Sequence, residues 1–168
     1  MLPEFLTALD AAEPILVGHS DGGSIALIHA GAHPVTGLVL LAAHVFVEEV
    51  TVAAIAQTRR RYLHDGLRER MGRHHGDPDA AFWGWCDVWL DPEFGWWELD
   101  ADAARVTAPA LVIQGGEDPY GTLAQVDRIA AAVRGPCTRL IVGGGHSPHL
   151  ERPDDVIAAV TAFAAELP

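Results

Sequence analysis

Three residues in this chain have the chemistry and the setting to act together: Ser20, Asp118 and His146. A serine hydroxyl is a weak nucleophile and needs an imidazole to take its proton, itself held in place by a carboxylate. Ser20 lies in Gly18-His19-Ser20-Asp21-Gly22-Gly23, directly after the apolar run Ile15-Leu16-Val17 and directly before a helix-length segment. A G-x-S-x-G sequence between strand and helix forces the serine into a tight, strained turn whose side chain stands clear of the backbone. The backbone amide of Asp21 would then point at an oxyanion developing on a substrate, and the helix N-terminus adds positive potential there. With 17 glycines in 168 residues and serine only at 20, 24 and 147, chance yields the pattern about 0.03 times.

Asp118 lies in Gln114-Gly115-Gly116-Glu117-Asp118, just past the apolar run 110–113. His146 follows Gly143-Gly144-Gly145, just past the run 139–142. All three groups leave the same ends of their strands, where open parallel sheets place their sites. Glu117 is a second candidate acid, and His149 a second candidate base three residues further on. His19 is read as a packing and hydrogen-bonding residue. His44, Trp85 and Trp89 are candidate pocket residues, with structural packing as the competing reading for each. In His74-His75-Gly76-Asp77 the adjacent histidines point in different directions and no second cluster supports them, so no metal is expected. Nothing calls for a cofactor.

Four short runs rich in Val, Ile and Leu must carry these residues: 15–17, 37–42, 110–113 and 139–142. None alternates in and out, as expected of strands buried on both faces of a parallel sheet. Helix-length segments at 22–33, 122–134 and 153–165 alternate with them, the last opening on Pro153. The fold class is therefore α/β with a mostly parallel sheet of about four strands. The interval 45–106 interrupts this order and holds all five tryptophans. Helices are expected there over 49–73 and 79–89, forming a lid or cap. The chain reads as one domain, 1–168, with a core of 1–44 and 107–168 and a helical insertion at 45–106. Right-handed crossovers put the connecting helices on one face and leave only the last helix for the other. The strand 15–17 would then be an open edge, and a second copy pairing edge to edge about a two-fold axis would cover it, so a homodimer is expected.

The formal charge is −12, from 23 acidic against 11 basic residues. Nucleic acid and anionic lipid are excluded as partners by repulsion. The apolar stretches are strand-sized, too short to span a membrane. Cys86 and Cys137 make no metal spacing, and the first ten residues lack the basic and apolar regions of a leader. The expectation is a cytoplasmic protein whose partner is a small-molecule substrate.

The stretch ILVGHSDGGSIALIHAG resembles the nucleophile elbow of the α/β-hydrolase superfamily. LVIQGGEDPYGT resembles its acid loop and GGGHSPHLERPDDV its histidine loop, in the family's order. The resemblance covers nearly the whole chain. It implies Ser20 as nucleophile, His146 as general base and acid, Asp118 as orienting acid, and 45–106 as the cap. Serine at the elbow argues against the epoxide-hydrolase and haloalkane-dehalogenase branches, which use aspartate there. The four strands resemble the last four of the family's eight. A complete member carries roughly 80–100 further residues before the elbow, including the loop that supplies a second oxyanion amide. No HGG sequence precedes Ser20. The expected function is hydrolysis of a small ester, lactone or vinylogous ketone through an acyl-enzyme. The alternative is a non-catalytic half-domain acting in assembly or ligand binding.

Overall fold

A computed structural model describes residues 2–167. In chain order the elements are α1 (Leu2–Ala8), β1 (Ile15–His19), α2 (Asp21–Ala32), β2 (Gly37–Leu41), α3 (Glu49–His64), α4 (Leu67–Met71) and α5 (Pro78–Leu90). A 3-10 turn (Pro92–Trp96) follows, then α6 (Asp100–Ala103), β3 (Ala110–Gly115), α7 (Leu123–Ala132), β4 (Cys137–Val142), α8 (Pro148–Glu151) and α9 (Pro153–Ala165). The chain divides into two compact units, one of residues 2–46 and 98–167 and one of 47–97.

The first unit holds one sheet of four parallel strands in the order β1-β2-β3-β4. Its α/β architecture is the one expected. Every residue of β2 and β3 is buried, as their uninterrupted apolar sequences require. The two outer strands depart from that expectation. β1 alternates, with Ile15 and Val17 exposed and Leu16 buried, and β4 is largely exposed up to Val142. An edge strand gains a neighbour on one side only, so an apolar sequence does not suffice to bury both of its faces.

The register explains which face is left open. Val17 stands beside Val39, and Val39 belongs to a cluster with Leu41, Leu111, Ile113 and Val156. Leu140, Val160 and Phe163 pack against that cluster, so α9 covers this face over β2, β3 and β4. Its cover does not extend to Ile15 and Val17, which stay 41% and 59% exposed. Leu38, Leu40 and Val112 point to the other face and are fully buried, together with Leu27 of α2 and Ile129 of α7. Each such side chain contributes about 1.5–3 kcal/mol relative to solvent exposure.

The second unit is narrower than the 45–106 insertion expected, because residues 98–106 pack into the first. The Leu99 amide donates to the Val45 carbonyl at 2.8 Å. Arg128 of α7 binds both the Asp100 and Glu98 carboxylates and lies over the Phe46 ring at 4.6 Å. A Cβ on Gly31 would fall 2.6 Å from the Asp102 carbonyl oxygen, so α2 and α6 meet at backbone contact.

Within the second unit, the single helix expected over 49–73 is two. Gly66 takes a left-handed φ of 68° after α3 ends, and α4 starts beyond it. Asp77 caps α5 by accepting from the Ala80 amide, with Pro78 in the first turn. Tyr62 and Phe82 stack at 3.7 Å, and Arg59 sits over the Trp83 ring at 5.6 Å. Among the described residues no helix is long and apolar enough to cross a membrane.

Candidate active site

Ser20 sits between β1 and α2 with φ 55° and ψ −126°, a backbone conformation that L-residues rarely adopt. It persists because the surroundings fix it. The Ser20 amide donates to the Leu41 carbonyl at 2.9 Å, tying the turn to the end of β2. The Ser20 carbonyl accepts from Gly23 at 2.8 Å and starts the helix. A Cβ on Gly18 would lie 2.3 Å from the Gly22 carbonyl oxygen, and one on Gly23 2.6 Å from the Ala43 Cβ. Gly22, the last glycine of the motif, would meet nothing within 4 Å. The close approaches therefore fall at Gly18 and Gly23. Ser24 adds a buried bond, its hydroxyl donating to the His44 carbonyl at 2.6 Å.

The loops after β3 and β4 are joined by their backbones. Gly116 donates to Val142 and Glu117 to Gly144, both at 2.9 Å. A Cβ at Gly115 would lie 2.0 Å from the Gly145 carbonyl oxygen, which leaves room for glycine alone. This junction places Asp118 beside His146, whose Nδ1 is 2.8 Å from Oδ2 and 3.0 Å from Oδ1. Its Nε2 lies 2.9 Å from the Ser20 hydroxyl oxygen. The Asp118 side chain has no exposed surface, while that of His146 is 18% exposed. Since a carboxylate only accepts, Nδ1 carries the hydrogen and Nε2 is left to accept the Ser20 proton.

Asp118 is itself anchored twice more. The Gln114 side-chain amide donates to Oδ2 at 3.0 Å and the Tyr120 backbone amide to Oδ1 at 2.8 Å. Sequence reasoning passed over Gln114, although a polar residue in the otherwise apolar β3 was a usable signal. The Tyr120 ring stands 4.7 Å from the His146 ring.

His19 donates from Nε2 to the His146 carbonyl at 2.7 Å. Burial lowers the His19 pKa below its ordinary value, the bond to His146 opposing this in part, so the ring is neutral near pH 7. His149 stacks edge-on against His19 at 4.7 Å, and Glu117 is exposed. His44 is 3% exposed with its ring 5.8 Å from that of His146. Asp21 begins α2, directly after the serine. Trp85 and Trp89 belong to the second unit, where Trp85 packs on Phe82 and the buried Trp89 on Phe94 and Trp97. Cys86 and Cys137 are both free thiols. Among the described residues no group of three His, Cys, Asp or Glu side chains is placed to hold a metal ion.

A membrane phospholipase A described as a bacterial virulence factor has a similar fold, with a TM-score of 0.74 at 19% identity over 98% of this chain and 60% of that one. Epoxide hydrolase A of Mycobacterium tuberculosis is 38% identical over 74 residues, which are 42% of this chain and 23% of that protein. Serine hydrolase BPHL of Homo sapiens is 26% identical over 168 residues, covering 90% of this chain and 55% of its own length. The chain thus spans about half the length of the human relative and about a quarter of the mycobacterial one. The sequence profile of the Alpha/beta hydrolase family matches residues 2–160, and the chain belongs to that family.

Proposed function

We propose that the chain is a serine hydrolase of small ester, lactone or vinylogous-ketone substrates. The observation that carries the reading is the unbroken line of hydrogen bonds from the Ser20 hydroxyl through His146 to Asp118. Ser20 Oγ attacks the substrate carbonyl while His146 Nε2 takes the hydroxyl proton. The Asp21 amide donates to the oxyanion of the tetrahedral intermediate, at the positive end of α2. His146 then gives its proton to the departing alcohol or carbanion, leaving an acyl-serine. Water attacks the acyl group with His146 again as base, releasing the acid and restoring Ser20. Asp118 holds the imidazolium throughout.

The relatives' names point to two chemistries, epoxide opening and serine hydrolysis. The serine at position 20 favours the second, because the resemblance gives epoxide hydrolases an aspartate there. In this reading the unit of residues 47–97 corresponds to the family's cap insertion, and His44, whose ring is 5.8 Å from that of His146, lines the substrate pocket.

Hydrolysis of p-nitrophenyl acetate tests the proposal. Ser20→Ala should abolish turnover, and Asp118→Asn should lower it by about 10,000-fold by favouring the wrong imidazole tautomer. Absence of turnover above buffer in the parent chain would favour the non-catalytic half-domain instead.

A further inference from the structure

We propose that Glu151 is a positioning residue for His146, acting through the backbone on both sides of it. The inference rests on the hydrolase reading above. His146 stands on a connection of five residues, 143–147, three of them glycine, between β4 and α8. Such a segment has much conformational freedom of its own. Its Gly144 carbonyl is held by the Glu117 amide at 2.9 Å, and the Glu151 carboxylate adds a restraint on the amides flanking His146. Its Oε2 accepts the Gly145 amide at 2.8 Å, and its Oε1 accepts the Ser147 amide at 3.1 Å. One side chain therefore grips the residues immediately before and after the base.

The loop is shaped for this contact. Gly144 adopts φ 106°, and a Cβ there would lie 2.7 Å from Glu151 Oε2. The carboxylate occupies the space that any other residue at 144 would need. Glu151 is tied back in turn, its own amide donating to the Ser147 carbonyl at 3.0 Å. Simple capping of α8 would explain the bond to Ser147 but not the one to Gly145, which lies outside that helix. Nor is Glu151 a packing residue, because it is exposed. The two amides also hold its carboxyl below the usual carboxylate range, so it is charged at neutral pH. On the far side, His19 binds the His146 carbonyl at 2.7 Å, completing a grip on three successive residues.

The imidazole must meet Ser20 at 2.9 Å and Asp118 at 2.8 Å together, and a misplacement of about 1 Å can cost on the order of 100-fold. Glu151→Gln keeps one acceptor oxygen, whereas Glu151→Ala keeps none. With p-nitrophenyl acetate, kcat should fall about tenfold in Glu151→Gln and about 100-fold in Glu151→Ala, with KM within about twofold. Far-UV circular dichroism and the melting midpoint should stay close to those of the parent, and the Gly145 and Ser147 amide protons should shift upfield in proton–nitrogen spectra of both variants. A folded Glu151→Ala with kcat within twofold of the parent would overturn the assignment. So would a loss of kcat that tracks a loss of folded protein. Inactivity of the parent chain, or turnover that survives Ser20→Ala, would instead overturn the hydrolase reading beneath it.

Discussion

The Gln114 side-chain amide holds the Asp118 carboxylate at 3.0 Å, and it also donates to the Gly121 carbonyl at 2.9 Å. Gln114 is 1% exposed and ends the apolar run of β3. It fastens a fully buried carboxylate to the sheet and closes the acid loop in the same contact. Gln114→Leu removes a hydrogen bond to a charged group, a loss of about 1.5–3 kcal/mol. The melting midpoint should fall by about 2–4 °C for each kcal/mol lost in a chain of this size. Differential scanning calorimetry reads the shift, and an unchanged midpoint would show that Gln114 does not anchor Asp118.

The elbow glycines should respond oppositely to the same substitution. Gly18→Ala places a methyl group 2.3 Å from a backbone oxygen, which no side-chain movement relieves. That variant should fail to accumulate as folded protein. Gly22→Ala meets open space inside α2 and should stabilise the helix by about 0.5–1 kcal/mol. Chemical denaturation of the two variants checks the contrast, and equal stability would contradict it.

How legible this was in the sequence depended on the range of the forces involved. The strand–turn–helix around Ser20, the α9 span from Pro153 to Ala165 and the parallel order of four strands follow from local composition and spacing, and the structure has them. Burial of β1 and β4 on both faces did not follow, because burial depends on the position of a strand in the sheet. Which glycine of the motif is the tight one did not follow either: the close contact to Ala43 falls at Gly23, where α2 passes the segment after β2, and Gly22 meets nothing. Gln114 carried a usable signal as the polar residue of an apolar strand. Glu151 did not, because it acts on its partners through loop geometry that residue type alone does not reveal.

Acid should loosen the second unit through Asp79. Its carboxylate accepts from Arg68 at 2.9 Å and from the Tyr62 hydroxyl at 2.7 Å, and these partners, Arg68 first, lower its pKa to about 2. A carboxyl depressed by folding contributes stability above its unfolded pKa, near 3.9. That contribution is lost as pH falls through about 2. All five tryptophans lie within 47–97, so their fluorescence follows this unit. Thermal unfolding watched by tryptophan emission should show stability dropping between about pH 4 and pH 2, with a shallower drop in Asp79→Asn. The surface position of the pair keeps the effect small. An identical pH dependence in parent and variant would assign the acid sensitivity elsewhere.

The open face of β1 should be covered in solution. Ile15 and Val17 lie beyond the reach of α9. We propose that a second copy pairs β1 with β1 antiparallel across a two-fold axis perpendicular to the sheet, making eight continuous strands. Light scattering coupled to size exclusion should give twice the chain mass of 17.9 kDa at micromolar concentration. A well-behaved monomer would refute the pairing.

The nucleophile itself is open to direct chemical identification. A fluorophosphonate probe reacts with a serine only where a base removes its proton and amides receive the oxyanion. Peptide mapping by mass spectrometry should find one adduct, on Ser20, with Ser24 and Ser147 untouched. Ser24 is buried with its hydroxyl donated to His44, and Ser147 lies in the loop held by Glu151. The adduct should vanish in Ser20→Ala and form far more slowly in His146→Ala. Labelling that persists in Ser20→Ala, or a parent chain that does not label, would contradict the assignment of Ser20 as the nucleophile.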